Sequence, residues 1–205
     1  MTKILNAGIE LFRQYGFKTI TMDDIARSAG ISKKTLYQHF SNKGEVVNET
    51  VAWYKGHIAD QCCKSMEESE NAIEAMVRIM GIFDQINRKM NPLAMLELER
   101  FFPETFKQFR ESMLARDVEQ IKTNMERGIS EGLYRPEINP EFMAKYRIEL
   151  SLIMYHSNLL LNDRVDLQFI GHEINEHFLY GIMTPKGEKL YQKYKEKYFK
   201  QVSKI

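Results

Sequence analysis

The sequence predicts an all-α chain in two parts, and three observations carry that expectation. Apolar residues recur at three- and four-residue spacing along most of its 205 residues, the period of a helix with one buried face. Stop signals cut this pattern into segments: Gly16, Gly30, Asn91-Pro92, Pro103 and the run 132–140, where glycine and proline end helices. The stretch 21–40, TMDDIARSAGISKKTLYQHF, reads as two short helices joined by a tight turn.

The first helix is expected over about 2–15, burying Ile4, Leu5, Ile9, Leu11, Phe12 and Tyr15 before Gly16 stops it. Thr21 then stands where an N-cap belongs, with Asp24 three residues on. Met22, Ile25, Ala26 and Ala29 form one apolar face, and Gly30 supplies the left-handed residue of a chain reversal. Ser32 caps the next helix. Leu36 and Phe40 are its buried side, so Lys34, Tyr37 and Gln38 project outward, flanked by Lys33 and Thr35. Taken alone, this pattern fits either a DNA-reading helix-turn-helix or one helical hairpin of a bundle.

Asn42 and Glu45 make a capping-box-like start to a helix that runs to about residue 64, with Lys43 in its first turn. After the polar break 67–70 comes a helix over about 71–89, striped with Ile73, Met76, Val77, Met80 and Phe83. Asn91-Pro92 restarts the chain into a helix over 93–102. Pro103 breaks or kinks it, and one long helix is expected from there to about residue 131. The segment GLYRPEINP is a loop. Two helices follow, over about 141–161 and 166–181. The first is apolar on two sides, with Phe142, Tyr146, Leu150, Ile153 and Leu160 on one and Leu152, Tyr155 and Leu159 on the other. Such a helix must be buried on more than one side, which in a chain this size points to a second copy.

The totals exclude several classes. Composition is ordinary for a soluble protein, 43% hydrophobic and 28% charged. The most apolar run, 148–161, is interrupted by Glu149, His156 and Asn158, so no membrane span is expected. The N-terminus enters an amphipathic pattern at once, so no signal peptide is expected and a cytoplasmic location is. Net charge is only +1, so attraction to nucleic acid must come from local clustering, which Lys33, Lys34 and Lys43 supply with Lys18 and Arg27 close by. Cys62 and Cys63 are adjacent and lack zinc spacing, so they read as reduced thiols. His172 and His177 are five apart, which turns them to different faces of a helix, and no metal site is expected. Neither a nucleophile–base pairing nor a phosphate-cradling loop appears, so no enzyme and no cofactor are expected.

The wider stretch decides between the two readings of the hairpin. Ile4-Leu5, Ala7, Leu11-Phe12, Gly16-Phe17, Thr21, Ile25-Ala26, Ala29-Gly30-Ile31-Ser32, Thr35-Leu36-Tyr37, His39-Phe40 and Lys43 together resemble the DNA-binding domain of the TetR (tetracycline-repressor) family. The run from NPLAMLELERFFPETF to NPEFMAKYRIE resembles one branch of the same family. One departure is Gly44, where the family usually has Glu. The resemblance implies a three-helix DNA-binding domain over 1–57 and a ligand-binding and dimerisation domain over 58–183; the residues themselves then mark a basic, aromatic-rich tail over 184–205. It also implies a homodimer that represses by occupying a pseudo-palindromic duplex operator and leaves it when a small molecule binds. A helical architectural or interaction factor with no such switch is the alternative.

By the resemblance, Lys33, Lys34, Thr35, Tyr37, Gln38 and His39 face the major groove, with Thr21 and Lys43 at the DNA backbone. Lysine donates to guanine and glutamine pairs with adenine, so Lys33, Lys34 and Gln38 are the expected base readers. For the effector, the methionine- and aromatic-rich set Met80, Phe83, Met95, Leu96, Phe102, Phe106, Phe109, Met113 and Met125 is the candidate lining, since such side chains line adaptable apolar cavities. That implies an apolar or amphipathic ligand, with Glu97, Glu99 or Arg100 as charged groups that could face it. Tyr146, Leu150, Ile153, Ile170, Ile174, His177 and Phe178 are the candidate dimer interface. In the tail, Tyr191, Tyr194, Tyr198 and Phe199 fall at helical spacing among lysines. This stripe reads as docking on the protein's own body, in preference to a membrane or nucleic acid.

Overall fold

The computed structural model describes residues 1–156 and 166–199, and among them it is helical throughout. Three short helices open the chain: α1 (Thr2–Tyr15), α2 (Met22–Ser28) and α3 (Lys33–His39). Then come α4 (Lys43–Glu67), α5 (Ala72–Arg88), α6 (Ala94–Phe101) and α7 (Pro103–Ser112). A single π-helical turn, Met113–Asp117, joins α7 to α8 (Val118–Ser130). The one long helix expected after Pro103 is therefore one rod with a widened turn in its middle. A π turn arises where one extra residue is accommodated, and such turns are frequent beside functional sites. The chain continues in α9 (Pro140–His156), α10 (Leu167–Ile182) and α11 (Pro185–Tyr198). Leu159, Leu160 and the rest of the expected helix beyond residue 156 lie outside the described residues.

Side-chain caps fix where the helices begin. Asn42, Asn71 and Thr184 accept from the backbone N–H three residues on, at Glu45, Glu74 and Gly187, and each satisfies a donor that the helix leaves open. One apolar core gathers α1–α3 around Phe12, Ile25 and Leu36, with Phe12 stacked on Phe17 at 4.8 Å. This core also takes in Ala94, Met95, Leu98 and Phe106 from α6 and α7, so the front of the molecule packs onto its body without a gap. A second core joins α5, α8, α10 and α11 around Ile73, Met80, Met125, Tyr134 and Tyr191.

The tail helix α11 lies on its own chain. Tyr191 and Tyr194 are buried, the Tyr198 hydroxyl donates to Glu74 at 2.7 Å, and the Tyr191 hydroxyl donates to Glu176 at 2.6 Å. Lys195 and Lys197 pair with those same two carboxylates. The aromatic stripe and two of its lysines are thus spent on docking. Among the described residues, no helix is long and apolar enough to cross a membrane.

Candidate DNA-binding surface and interior cavity

Local signals build the front surface. The Thr21 hydroxyl accepts from the Asp24 N–H at 3.2 Å, while the Asp24 carboxylate accepts from the Thr21 N–H at 3.0 Å and from its hydroxyl at 2.6 Å. These hydrogen bonds from Thr21, side chain first and then backbone, hold the Asp24 carboxyl below its usual range. Gly30 turns the chain at φ 65°, a conformation that an L side chain rarely adopts. The Ile31 N–H then reaches back to the Ala26 carbonyl at 3.0 Å. Ser32 starts α3 by accepting from the Thr35 N–H at 3.0 Å.

Leu36 is fully buried and sets the rotation of α3. At about 100° per residue, Lys34 and Gln38 then point directly away from the core. Lys33 and Tyr37 lie to one side of that line, with Thr35 and His39 to the other. All but Thr35 are exposed; its side chain is half-buried and its hydroxyl is shared with Ser32 at 2.8 Å. Lys33 bridges to Asp23 of α2 at 2.8 Å, and that hydrogen bond and charge raise its pKa.

Lys43 sits in the first turn of α4, half-buried. Its ammonium donates to the Lys18 carbonyl at 3.2 Å and lies 5.8 Å from the centre of the Phe102 ring. Burial lowers its pKa against the opposing pull of Glu97 and Asp24.

Behind this surface the three short helices are clamped to the body at two points. Glu97 of α6 accepts from the Lys18 N–H at 2.9 Å. Gly16 makes room for it: at φ 82°, a Cβ there would fall 2.3 Å from the Glu97 carboxylate. At the other point the Arg13 guanidinium donates to the Ile86 carbonyl at 2.7 Å, and the Asn91 N–H donates to the Arg13 carbonyl at 2.6 Å.

The body encloses a cavity of about 150 Å³ between α4, α5, the α7–α8 rod, α9 and α10. Its wall is largely apolar. Ile58, Ala59, Cys62 and Met66 come from α4, Met76, Ile79 and Phe83 from α5, and Phe109, Met113 and Ile121 from the rod. Burial, with the Asp117 charge second, pushes the Cys62 thiol up to about 12, so it stays protonated and unreactive. Two cations also reach the wall. Lys55 pairs with Asp117, the last residue of the π turn, at 2.7 Å. Arg147 of α9 is buried, donating to the Ser151 hydroxyl at 3.0 Å and to the Asn175 side-chain oxygen, with Phe178 5.4 Å away.

Residues 4–50 match the family profile of bacterial regulatory proteins of the tetR family. Over 165 residues, 74% of this chain and 80% of the relative, the sequence is 30% identical to YhgD of Bacillus subtilis (strain 168), named as an uncharacterized HTH-type transcriptional regulator. The chain belongs to the TetR family. It is a helix-turn-helix transcriptional regulator with an N-terminal DNA-binding unit and a C-terminal helical unit.

Other transcriptional regulators are similar as well. IcaR of Staphylococcus aureus, the negative transcriptional regulator of the biofilm operon icaADBC, is 30% identical over 81 residues, 40% of this chain and 44% of IcaR. Among solved structures, a transcriptional regulator from Cytophaga hutchinsonii superposes with a TM-score of 0.68 at 21% identity, covering 88% of this chain and 97% of its own. FadR from Bacillus subtilis, solved in complex with stearoyl-CoA, gives 0.63 at 17% identity, covering 88% and 98%. At these identities the structures share the TetR-type fold.

Against that frame of a TetR-family regulator, the structure brings together the residues expected at DNA more closely than those expected elsewhere. Lys33, Lys34, Tyr37, Gln38 and His39 share one exposed helix surface, whereas both hydrogen-bonding groups of Thr21 are committed to its cap. Of the nine candidate lining residues, Phe83, Phe109 and Met113 reach the cavity. Met80 and Met125 are packed in the second core, and Met95 and Phe106 in the first, with Phe102 packed half-buried against it. Leu96 and Glu97 are half-buried, while Glu99 and Arg100 are exposed. What sequence reasoning missed is the contribution of α4, α9 and α10. No sequence signal marked Arg147, which stands between Lys145 and Glu149 just before the apolar run 148–161.

The expected dimer residues divide as well. Tyr146, Ile153 and His177 are exposed and Leu150 and Ile170 half-buried, but Phe178 is buried and Ile174 faces the cavity. Phe142 and Phe169 join the exposed set, at 64% and 62% accessible. His172 faces Glu176 at 3.7 Å and meets the edge of Phe199, apart from the exposed His177.

Proposed function

We propose that this regulator is a homodimeric repressor whose hold on a pseudo-palindromic operator is released when a small amphipathic molecule enters the cavity. The observation that carries the reading is the path of α4. Its first turn holds Lys43 against the DNA-binding unit, and its later turns supply Lys55, Ile58, Ala59, Cys62 and Met66 to the cavity wall. At 1.5 Å per residue, Lys43 and Lys55 are about 18 Å apart along one continuous rod. An occupant that displaces the lower part of α4 moves the upper part with it. A second route runs from Phe109 of α7 on the cavity wall, through the adjoining α6, to the clamp between Glu97 and Lys18.

In this reading Lys34 and Gln38 are the principal base readers, with Lys33 beside them. Tyr37, Thr35 and His39 touch phosphate or a thymine methyl, and Lys43 and the Thr21 corner sit at the backbone. Residues 1–57 act as the DNA unit and 58–183 as the ligand and dimer unit, although apolar packing is continuous between them. The described part of the tail, 184–199, buttresses α5 and α10. Phe142, Tyr146, Ile153 and Phe169 form an exposed apolar face on α9 and α10 that suits a two-fold contact between copies, which would set the recognition helices about one DNA turn, ~35 Å, apart. The effector must prefer the DNA-incompetent state, since it can shift the balance only by that difference in affinity.

The test begins with selection of duplex fragments by the purified full chain from a random pool. A palindromic consensus bound by a dimer, with affinity reduced by any amphiphile that raises the melting temperature, is the expected result. A monomer with no preference among duplexes would overturn it.

A further inference from the structure

Arg147 is out of place for a residue that serves stability alone. It is 8% exposed and forms part of a wall that is otherwise mainly hydrocarbon. The other cation on that wall, Lys55, has its counter-ion in Asp117. Arg147 has only neutral partners, the Ser151 hydroxyl and the Asn175 amide oxygen, and among the described residues no carboxylate pairs with it. Ser151 in turn donates to the Arg147 carbonyl at 3.0 Å, so its hydroxyl is fixed in the accepting orientation. These contacts hold the guanidinium plane and use two of its five N–H donors. Burial alone lowers its pKa, to about 10, so the side chain remains cationic at neutral pH, with no counter-charge among the described residues. An apolar side chain of similar volume would fill this position at least as stably. A planar fork held by neutral acceptors in a largely apolar pocket is instead the arrangement that receives a carboxylate.

We propose that the effector is an anionic amphiphile, a monocarboxylate whose head sits on Arg147 between Ser151 and Asn175 and whose tail lies against Ile58, Met66 and Phe83. The assignment rests on the reading of this cavity as the effector site. A void of similar size in an engineered protein core holds a benzene ring, so the tail has about six to ten carbons, straight or aromatic.

Calorimetric titration of the full chain with octanoate, octan-1-ol and octylamine separates head from tail, and 4-phenylbutyrate tests an aromatic tail on the same head. Octanoate or 4-phenylbutyrate should bind at least about tenfold more tightly than octan-1-ol, the gain expected of charge-assisted hydrogen bonds, and octylamine should not bind. In Arg147→Met the carboxylates should lose about tenfold or more while octan-1-ol holds its affinity. Should that variant not fold, Arg147→Lys keeps the charge without the fork, and only the carboxylates should weaken. If octan-1-ol matches both carboxylates on the wild-type chain, or if the Arg147 variants bind carboxylate as the wild type does, the anionic head is refuted while the cavity remains a ligand site. If none of the four compounds binds, both the head assignment and the reading of the cavity as an effector site fall.

Discussion

Asp23 restrains Lys33 on the proposed DNA-binding surface, so removing its charge should tighten the grip on DNA. Its carboxylate holds the Lys33 ammonium at 2.8 Å across the gap between α2 and α3, and both side chains are more than half exposed. For Lys33 to reach a base or a phosphate this bridge must open, and the carboxylate must stay beside a polyanion. An exposed pair of this kind changes an equilibrium by about 1.5- to 5-fold, and the two copies of the proposed dimer compound that to about two- to thirtyfold. Asp23→Asn keeps the shape and leaves the Thr21–Asp24 cap untouched, so the fold should survive; a thermal melt checks this. Fluorescence anisotropy with a selected duplex at two salt concentrations reads the gain, and the same change in a Lys33→Ala background should give much less of it. Equal or weaker binding by Asp23→Asn, or the same gain without Lys33, would refute a DNA role for Lys33.

Three further outcomes are expected. Lys43→Ala should weaken binding to all duplexes alike and lower the log–log salt slope by about 0.9 per protomer, hence about 1.8 per dimer; an unchanged slope would leave Lys43 as a clamp on Lys18 only. Tyr146→Glu combined with Ile153→Glu places charge on an exposed apolar face, so light scattering should find a folded monomer that has lost operator binding, and a persisting dimer would move the interface elsewhere. The third concerns acid. Burial would raise the Glu74 and Glu176 carboxyls, but the Glu70 N–H, Tyr198, Arg78 and Lys197 around Glu74 outweigh it, as do Lys195 and Tyr191 around Glu176, so both are held low. Groups lowered on folding stabilise above their unfolded pKa, about 4.3, and lose that contribution as pH falls through the folded values. Melting temperature should therefore drop below about pH 4.3, less steeply in Glu74→Gln, and an identical profile for the two proteins would contradict the docking of α11 through that carboxylate.

The helix-turn-helix was legible because its signals are local. Thr21, Gly30 and Ser32 each act within three or four residues, and each does in the structure what its residue type suggests. The cavity was not legible, for a physical reason. Periodicity tells which face of a helix is apolar but not whether the space opposite is filled. Met80 and Met125 look like pocket residues in sequence, yet they pack solidly against neighbours from α8, α10 and α11. The α4 wall stayed hidden because that helix is buried on several sides and shows no clean stripe. The pairing of Lys55 with Asp117 joins positions 62 residues apart, beyond any motif. Pro103 was read correctly as a break, but the π turn ten residues later has no marker in composition.

The coupling of cavity to DNA is tested most directly by the affinity of the full chain for a selected duplex, with and without an amphiphile that thermal shift has shown to occupy the cavity. Occupancy should weaken DNA binding by about tenfold or more, within the usual range of allosteric coupling. A ligand that stabilises the protein yet leaves the DNA isotherm unmoved would contradict it.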